Sequence, residues 1–435
     1  MTPLEQVAHY LLLFAIPYFF ALIFLEAVAA GLQGKKLFRI NDSITDINSG
    51  ILDRVLDAFV KTAIVGAYML VYNTAHVMTT DPSSVTAWIV CFVLVDFLFY
   101  WAHRMCHTLN FLWACHIVHH SSEEMNLTVA LRQSATETLF VWVFYLPLAI
   151  AGFPWEMWFI CYQINLLYQF WVHTRLVPKM GPVEWVMNTP SHHRVHHGAD
   201  VKYIDKNHAG TFIIWDRLFG TFKVEEEEPI FGVVSPVKTW NPLWAHTHYW
   251  VRLVKLTRLA PDWKDKIRVW FREPAFMPKG VELPAMGPNV RSPGYTKWNP
   301  WIPKGLTVYA LAHFVLLQVL FVGFGAAEEQ LPLAEKALPA GLVLFTLLCL
   351  GGILEGRPWA RIAEPLRIGL IALALLTQGG PWFAAPWAGN APTVTLIAAI
   401  GVLSLGGLYI ERDGFKGRDA SAYPNAGQEE TAPAR

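Results

Sequence analysis

The sequence predicts an all-α fold, built as a polytopic bundle of membrane helices with about nine crossings. Of its 435 residues, 54% are hydrophobic and only 16% are charged, whereas soluble domains carry about 25% charged residues. The mean hydropathy is +0.33, and several apolar runs approach the roughly 20 residues that a helix needs to cross a bilayer. This composition, with a formal net charge of zero, argues against a disordered chain, a nucleic-acid-binding protein and an ordinary soluble enzyme.

The expected crossings are the apolar runs, taken in chain order. Seven stand alone: Tyr10–Leu32, Thr62–Val77, Val85–Trp101, Leu306–Phe324, Ala340–Ile353, Ile368–Leu376 with its flanks, and Val394–Ile410. A further run, Thr138–Val172, contains Gly152-Phe153-Pro154. Because glycine and proline break helices, this run predicts two short helices, or a hairpin that reaches only part of the way across.

Basic residues predict how the bundle is oriented. If the hairpin counts as two crossings, 33 of the 34 Lys and Arg residues fall on one side, in the loops 33–61, 104–137, 174–304 and 356–367 and in the tail after Glu411. Only Lys336 falls on the other side. Since cytoplasmic loops are enriched in Lys and Arg, we expect the N-terminus outside, and the 174–304 segment and the C-terminus in the cytoplasm.

Histidine is the unusual residue of this chain. Of 16 histidines, 11 lie between His103 and His208, on the side predicted to be cytoplasmic. They form an H-x-x-x-H motif at 103–107 and two H-x-x-H-H motifs at 116–120 and 193–197, with His173 at the end of the hairpin. Positions i, i+3 and i+4 share one face of a helix, so each motif predicts a cluster of imidazoles.

This many clustered imidazoles predict a pair of metal ions in a histidine-rich cap. A structural zinc site is closed by four ligands, often with cysteine, and the zinc-peptidase pattern H-E-x-x-H is absent. Imidazole suits Zn, Cu, Fe and Ni. Two metals held by nitrogen beside an apolar cavity favour O₂ activation on an aliphatic substrate. A two-zinc hydrolase stays open, although such sites usually include bridging carboxylates.

Polar residues near the motifs are candidates to orient the imidazole rings. They are Glu123, Glu124, Asn126, Arg132, Gln133, Glu137, Gln169 and His192. Gln169 lies four residues before His173, so it shares that face and is also a possible ligand, directly or through water. His246 and His248 are expected at the surface, outside the constellation.

The motifs resemble the fatty acid hydroxylase/sterol desaturase superfamily, and most closely its alkylglycerol monooxygenase branch. The resembling stretches are His116–Ser134, Asn165–Thr174, Asn188–Gly198 and Tyr203–Phe222. The resemblance covers roughly residues 50–240, and the apolar runs after residue 305 are similar in layout only. It implies a diiron centre, O₂ and a lipid substrate held in the membrane.

Carried over residue by residue, the resemblance implies nine histidine ligands: His103, His107, His116, His119, His120, His173, His193, His196 and His197. His208 is not counted among them. The branch implies hydroxylation of the ether carbon of an alkylglycerol lipid, with ether-bond cleavage. The expected electron donor is a reduced pterin or a small electron-transfer protein.

Five regions follow from this layout. They are N-terminal membrane helices (1–84), a hydroxylase-like dimetal catalytic domain (85–225), a cytoplasmic segment (226–304), C-terminal membrane helices (305–410) and a polar tail (411–435). The active site is expected on the cytoplasmic face, in the inner membrane of a bacterium or the endoplasmic reticulum of a eukaryote.

Two alternatives stay open. The first is a sterol or fatty-acyl hydroxylase or desaturase. The second is a membrane metal-binding protein or transporter, which should carry ionisable residues at mid-membrane along several helices. The candidates for that role, Glu26, His76, Asp96 and His313, are scattered in the sequence, whereas the histidine motifs gather on one side.

Overall fold

The computed structural model describes residues 3–328, 330–378, 391–411 and 415. Within these residues the regular structure is helical, apart from two isolated β-bridges, and this confirms the predicted all-α fold. The α-helices are α1 Pro3–Leu32, α2 Ile40–Ala75, α3 Val85–Thr108, α4 Asn110–His116, α5 Thr138–Val141, α6 Leu146–Ala151, α7 Trp155–Phe170, α8 Pro190–His196, α9 Ile214–Leu218, α10 Pro242–Leu259, α11 Trp263–Phe271, α12 Lys304–Ala327, α13 Leu333–Leu354, α14 Ala360–Gln378 and α15 Ala391–Ile410.

Five of the described helical segments are long and apolar enough to cross a membrane, which makes this an integral membrane protein. They are Phe14–Leu32, Ile40–Ala75, Val85–Thr108, Lys304–Ala327 and Leu333–Leu354. The count of nine crossings stays a prediction. The predicted tail at 411–435 lies outside the described residues except for 411 and 415.

The interruption predicted within 138–172 is confirmed. Helix α6 ends at Ala151, and Gly152 caps it with a φ of 97°, in the left-handed region that favours glycine. A Cβ at this position would lie 1.7 Å from the carbonyl oxygen of Met78, so no other residue fits without moving the backbone. The long helix α7 then begins after Pro154.

The loop predicted at 33–61 is wrong for most of its length, because α2 begins at Ile40. Its 36 residues extend for about 54 Å, well beyond a hydrocarbon core of about 30 Å. Its polar residues resemble a loop in sequence but are buried, among them Asp42, Asp46 and Asp53. Asp46 accepts hydrogen bonds from Arg132 at 3.0 Å and from Thr128 at 2.7 Å.

The chain folds as two compact units. One comprises the residues up to 237 together with 246–295, and the other comprises 238–245 together with 296 onward. The boundaries of the five predicted regions stay a prediction. The first unit packs α3 against α7 and α1 against α7. Its core includes Tyr68, whose ring stacks on Trp158 at 4.5 Å between centroids.

The second unit pairs α12 with α13 and α13 with α14. It buries a polar quartet formed by Tyr309, His313, Glu364 and Arg367. Arg367 donates from Nε to Glu364 at 2.8 Å and from Nη2 to His313 Nδ1 at 2.7 Å. Tyr309 donates to the same carboxylate at 2.8 Å. His313 is therefore hydrogen-bonded within the bundle.

Candidate metal centre

The nine histidines expected as ligands come together in the first unit, and each is at most 6% exposed. His103 and His107 lie in the last turns of α3, and His116 ends α4. His119 and His120 begin a single 3₁₀ turn. The remaining four come from the end of the hairpin and from α8 with its C-cap: His173, His193, His196 and His197.

These histidines form two sets. The five-histidine set contains His103, His107, His116, His120 and His196, and the four-histidine set contains His119, His173, His193 and His197. Within each set the candidate donor nitrogens all lie within 4.8 Å of one another. Each set could therefore hold a metal ion.

Both H-x-x-H-H motifs are divided between the two sets. His116 and His120 join the five-histidine set and His119 joins the other, whereas His193 and His197 join the four-histidine set and His196 joins the other. Positions i and i+4 differ by about 40° around a helix, but i+3 lies about 60° to the opposite side of i. This spacing turns one residue of each motif toward the neighbouring set.

Hydrogen bonds at Nδ1 fix the orientation of five of the nine imidazole rings. Four donate from Nδ1 to a backbone carbonyl: His103 to His208 (2.8 Å), His119 to Arg132 (3.2 Å), His173 to Gln169 (2.9 Å) and His196 to Lys206 (3.0 Å). His116 donates to the Glu137 carboxylate at 2.9 Å. Because these oxygens only accept, Nδ1 carries the proton and Nε2 of each neutral ring bears a lone pair.

The Nε2 atoms of the sets converge at short distances. In the five-histidine set, His116 lies 3.0 Å from His103 and 3.1 Å from His120. In the four-histidine set, the separations are 3.3 Å for His119–His173, 2.8 Å for His173–His193 and 3.1 Å for His193–His197. For His103–His116 and His119–His173, both nitrogens present a lone pair, so no hydrogen bond joins them.

This spacing fits the donor set of a metal ion. Imidazole nitrogens bind transition metals at about 2.0–2.1 Å, so two donors at right angles around one ion lie about 3.0 Å apart. Nε2 of His107 and Nε2 of His196 are buried and have no hydrogen-bond partner among the described residues. A cation would satisfy these lone pairs, which would otherwise be costly to bury.

Burial favours the neutral form in six of these imidazoles, and the neutral form is the one that binds metal. Desolvation lowers the pKa of His173 to about 4. It lowers the pKa of five others well below the usual range, and neighbouring imidazoles lower it further: His119, His120, His193, His196 and His197.

The residues expected to orient the rings have different roles. The Glu137 carboxylate accepts a hydrogen bond from the His116 ring. Arg132 and Gln169 hold rings through their backbone carbonyls. The Gln169 amide donates instead to Asn165 Oδ1 at 2.5 Å, and the Arg132 guanidinium donates to the Val118 carbonyl at 2.9 Å.

The other candidates shape the loops around the rings. Asn126 donates to the Leu37 carbonyl at 2.8 Å, and Gln133 donates to the Ala130 carbonyl at 2.7 Å. Glu123 and Glu124 both form ion pairs with Arg39. The buried His192 accepts at its carbonyl from the Asn207 amide at 3.0 Å.

The surface location expected for His246 and His248 is wrong, because both are only 4% exposed. Both belong to α10, and His246 Nε2 donates to the Gln133 carbonyl at 3.3 Å. His208 is also buried, with its ring 5.0 Å from that of His107 between centroids. Sequence periodicity did not predict the burial of these three histidines, because their burial depends on contacts between residues far apart in sequence.

Three buried carboxylates support the centre in ways that the motifs did not reveal. Glu26 of α1 accepts from the Leu127 amide at 2.7 Å and from the Thr174 hydroxyl, beside His173. Asp96 accepts from four donors, including the Trp215 indole at 2.8 Å.

The third carboxylate is Asp216, which accepts from the amides of His208 at 2.8 Å and Ala209 at 2.9 Å. It thereby fixes the segment whose carbonyl holds His103. For Glu26 and Asp96, the available sequence signal was an acid inside an apolar run. An acid in such a position is equally typical of the ion pathway of a membrane transporter.

Comparisons with known proteins agree with this geometry. The fatty acid hydroxylase family matches residues 88–221. An alkylglycerol monooxygenase of Xenopus tropicalis is 38% identical over 357 residues, covering 81% of this chain and 79% of that protein. That of Homo sapiens is 36% identical over 369 residues, covering 84% and 82%.

A more distant relative is an ornithine lipid hydroxylase of Rhizobium tropici, 29% identical over 131 residues, which cover 30% of this chain and 40% of that protein. No solved structure matches the chain. The similarity to the alkylglycerol monooxygenases extends over most of both chains, and the residues that match the fatty acid hydroxylase family include all three histidine motifs. The chain therefore belongs to the alkylglycerol monooxygenase family.

Proposed function

We propose that this protein is a membrane-bound diiron monooxygenase that hydroxylates the ether carbon of an alkylglycerol lipid. The observation that carries the proposal is the convergence of nine buried imidazoles as sets of five and four, beside helices apolar enough for a membrane. The relatives that match most of the chain are alkylglycerol monooxygenases, which favours this substrate class.

The five-histidine set would hold one iron ion and the four-histidine set the other. Iron bound there would supply electrons to O₂ and the oxidising power to attack an unactivated C–H bond. The chain holds the rings in place through their Nδ1 hydrogen bonds and keeps them neutral by burial. The apolar hairpin at 138–172 would wall the path along which the lipid chain reaches the centre.

The proposed reaction is a monooxygenation of the carbon beside the ether oxygen. One oxygen atom of O₂ enters the C–H bond beside the ether oxygen, and the other leaves as water with two electrons and two protons from a reductant. The resulting hemiacetal loses the glycerol alcohol and leaves an aldehyde. We infer that the two electrons come from a reduced pterin or a small electron-transfer protein.

The test uses the iron-loaded protein in lipid nanodiscs with an alkylglycerol, a reduced pterin and isotopically labelled O₂. We expect labelled aldehyde in amounts equal to the unlabelled glycerol product. The His119→Ala variant is the matched control and should form neither. Absence of O₂ uptake with every reductant would favour the metal-binding or transport alternative.

The match to an ornithine lipid hydroxylase favours a second candidate, hydroxylation of an acyl chain. An ester lipid of the same chain length distinguishes the two. Hydroxylation of the ester lipid, with no aldehyde from the ether lipid, would support that candidate. A desaturase or a sterol-specific enzyme would give neither labelled product.

We also propose that the metal centre lies on the cytoplasmic face, in a bacterial inner membrane or the endoplasmic reticulum. The excess of Lys and Arg on that side of the chain supports this orientation. An impermeant thiol reagent should label Glu227→Cys only from the cytoplasmic side and Thr79→Cys only from the other. The native cysteines are buried, so the introduced thiols should react first.

A further inference from the structure

Helix α11 lies outside the metal centre and has two contrasting faces. Asp262 caps its N-terminus by accepting from the Asp265 amide at 2.8 Å. The inward face carries Asp265 and Val269, which are buried. Val269 belongs to an apolar cluster with Ala114 of α4, so this face is fixed against the protein.

The opposite face of α11 is apolar and exposed. Trp263, Ile267 and Phe271 are 66%, 51% and 58% exposed. Their spacing of four residues places them in one stripe along the helix. A surface helix that faced water would present polar residues there, so the exposed stripe indicates contact with an apolar medium.

Basic residues flank this stripe. Lys264 and Arg268 lie along one edge of it on the helical wheel, and Lys266 lies along the other. Residues 252–273 contain seven Lys or Arg and three Asp or Glu. An apolar stripe with basic edges is the pattern of a helix that lies in a membrane interface over anionic headgroups.

Hydrogen bonds fix α11 at the level where a membrane helix ends. Asn110, two residues beyond the candidate span Val85–Thr108, donates from its backbone amide to the Arg272 carbonyl at 2.9 Å. Its side-chain amide donates to the Val269 carbonyl at 2.8 Å. The C-terminal turn of α11 is thus attached directly to the boundary of the apolar span.

We propose that α11 is an interfacial helix that docks on an anionic phospholipid surface, the bilayer leaflet on the side of the metal centre. Its aromatic and aliphatic stripe enters the boundary between headgroups and acyl chains, and Lys264, Lys266 and Arg268 contact lipid phosphates. This contact goes beyond the proposed oxygenase chemistry and does not depend on it.

The test is spin labelling of the full chain in nanodiscs, with labels on Ile267→Cys, Glu227→Cys and Phe24→Cys in separate variants. Phe24 is 67% exposed within the candidate span Phe14–Leu32 and serves as the lipid control. Glu227 has a 68% exposed side chain and serves as the aqueous control. The label at 267 should be accessible to O₂ and shielded from a water-soluble nickel chelate, like that at 24.

Two other results would overturn the proposal. Nickel access at 267 equal to that at 227 would place the stripe in water. Shielding from both reagents would place it against protein, such as a second copy of the chain.

The preference of α11 for anionic lipids is tested by changing the lipid composition of the nanodiscs. Adding phosphatidylglycerol to phosphatidylcholine nanodiscs should deepen the label at 267. Replacing Lys264, Lys266 and Arg268 by Gln should abolish that shift while leaving the label shielded from nickel. A depth that is the same in both lipids for the parent chain would overturn the anionic preference.

Discussion

Each unit of the chain buries a polar cluster, and the two clusters differ in whether their hydrogen-bond donors and acceptors are paired. In the second unit, the guanidinium of Arg367 and the hydroxyl of Tyr309 donate to the carboxylate of Glu364, so donors meet acceptors. In the first unit, acceptor nitrogens face one another, as at His103 and His116. Burial of polar groups is therefore not enough to identify a functional site. The informative feature is a buried cluster of acceptor atoms that lacks donors and would be paired by a bound cation.

The largest expected effect tests this need directly. Replacing His116, His119, His193 or His196 by Ala removes one nitrogen donor from its set, so oxidation of the lipid should fall by several orders of magnitude. Bound metal should fall with it, measured on protein that keeps its size-exclusion profile. His76→Ala is the matched control, because this exposed ring bonds to the Tyr72 carbonyl of its own helix and belongs to neither histidine set, and its activity should be unchanged. Normal activity in His119→Ala and His196→Ala would contradict the assignment.

A smaller effect is expected at Glu137. The Glu137→Gln variant weakens the hydrogen bond that fixes the His116 ring, and such losses cost about 10–100-fold in metal affinity or activity. We expect a loss of metal affinity in this range in a metal competition assay on folded protein, with partial rescue by Glu137→Asp, which keeps a carboxylate. A metal affinity of Glu137→Gln equal to that of the parent chain would mean that Glu137 does not act through the five-histidine set.

A still smaller change in activity is expected at Glu26. Its carboxylate accepts two hydrogen bonds, and an amide in Glu26→Gln offers one oxygen for them. One buried donor is then left unpaired, at about 1–3 kcal/mol, chiefly as lost stability of the segment around His173. Activity should fall less than in Glu137→Gln, while thermal unfolding shifts to lower temperature. An activity loss as large as that of His173→Ala would instead indicate a direct role for Glu26.

A substitution in the polar quartet of the second unit should change the stability of the protein but not its activity. Glu364→Gln breaks a buried ion pair, and such changes cost about 3–5 kcal/mol. The metal content and activity of each folded molecule should not change, because the quartet shares no residue with the metal sets. A loss of metal from folded Glu364→Gln protein would contradict this separation.

The sequence predicted what depends on local pattern. The all-α fold, the interruption at Gly152 and the clustering of the histidine motifs follow from apolar runs, a glycine–proline break and helical spacing. The family prediction is confirmed by the relatives. These features need only neighbours within a few turns of the chain.

The sequence did not predict what depends on distant partners. The orientation of individual rings depends on hydrogen bonds to distant carbonyls, such as that of His208, which lies 105 residues from the His103 ring that it holds. The polar half of α2 resembled a loop because its buried acids have partners more than 80 residues away, such as Arg132 for Asp46. Burial of His246 depends in the same way on Gln133.

The division of both H-x-x-H-H motifs between the two sets has a consequence for assembly. The segment that carries His116 and His120 of the five-histidine set also carries His119 of the four-histidine set, and α8 likewise carries His196 and His193. Capture of the first ion therefore orders the backbone that must receive the second, so uptake should be positively cooperative. A preparation given too little metal would then contain fully loaded and metal-free molecules, with few that hold a single ion.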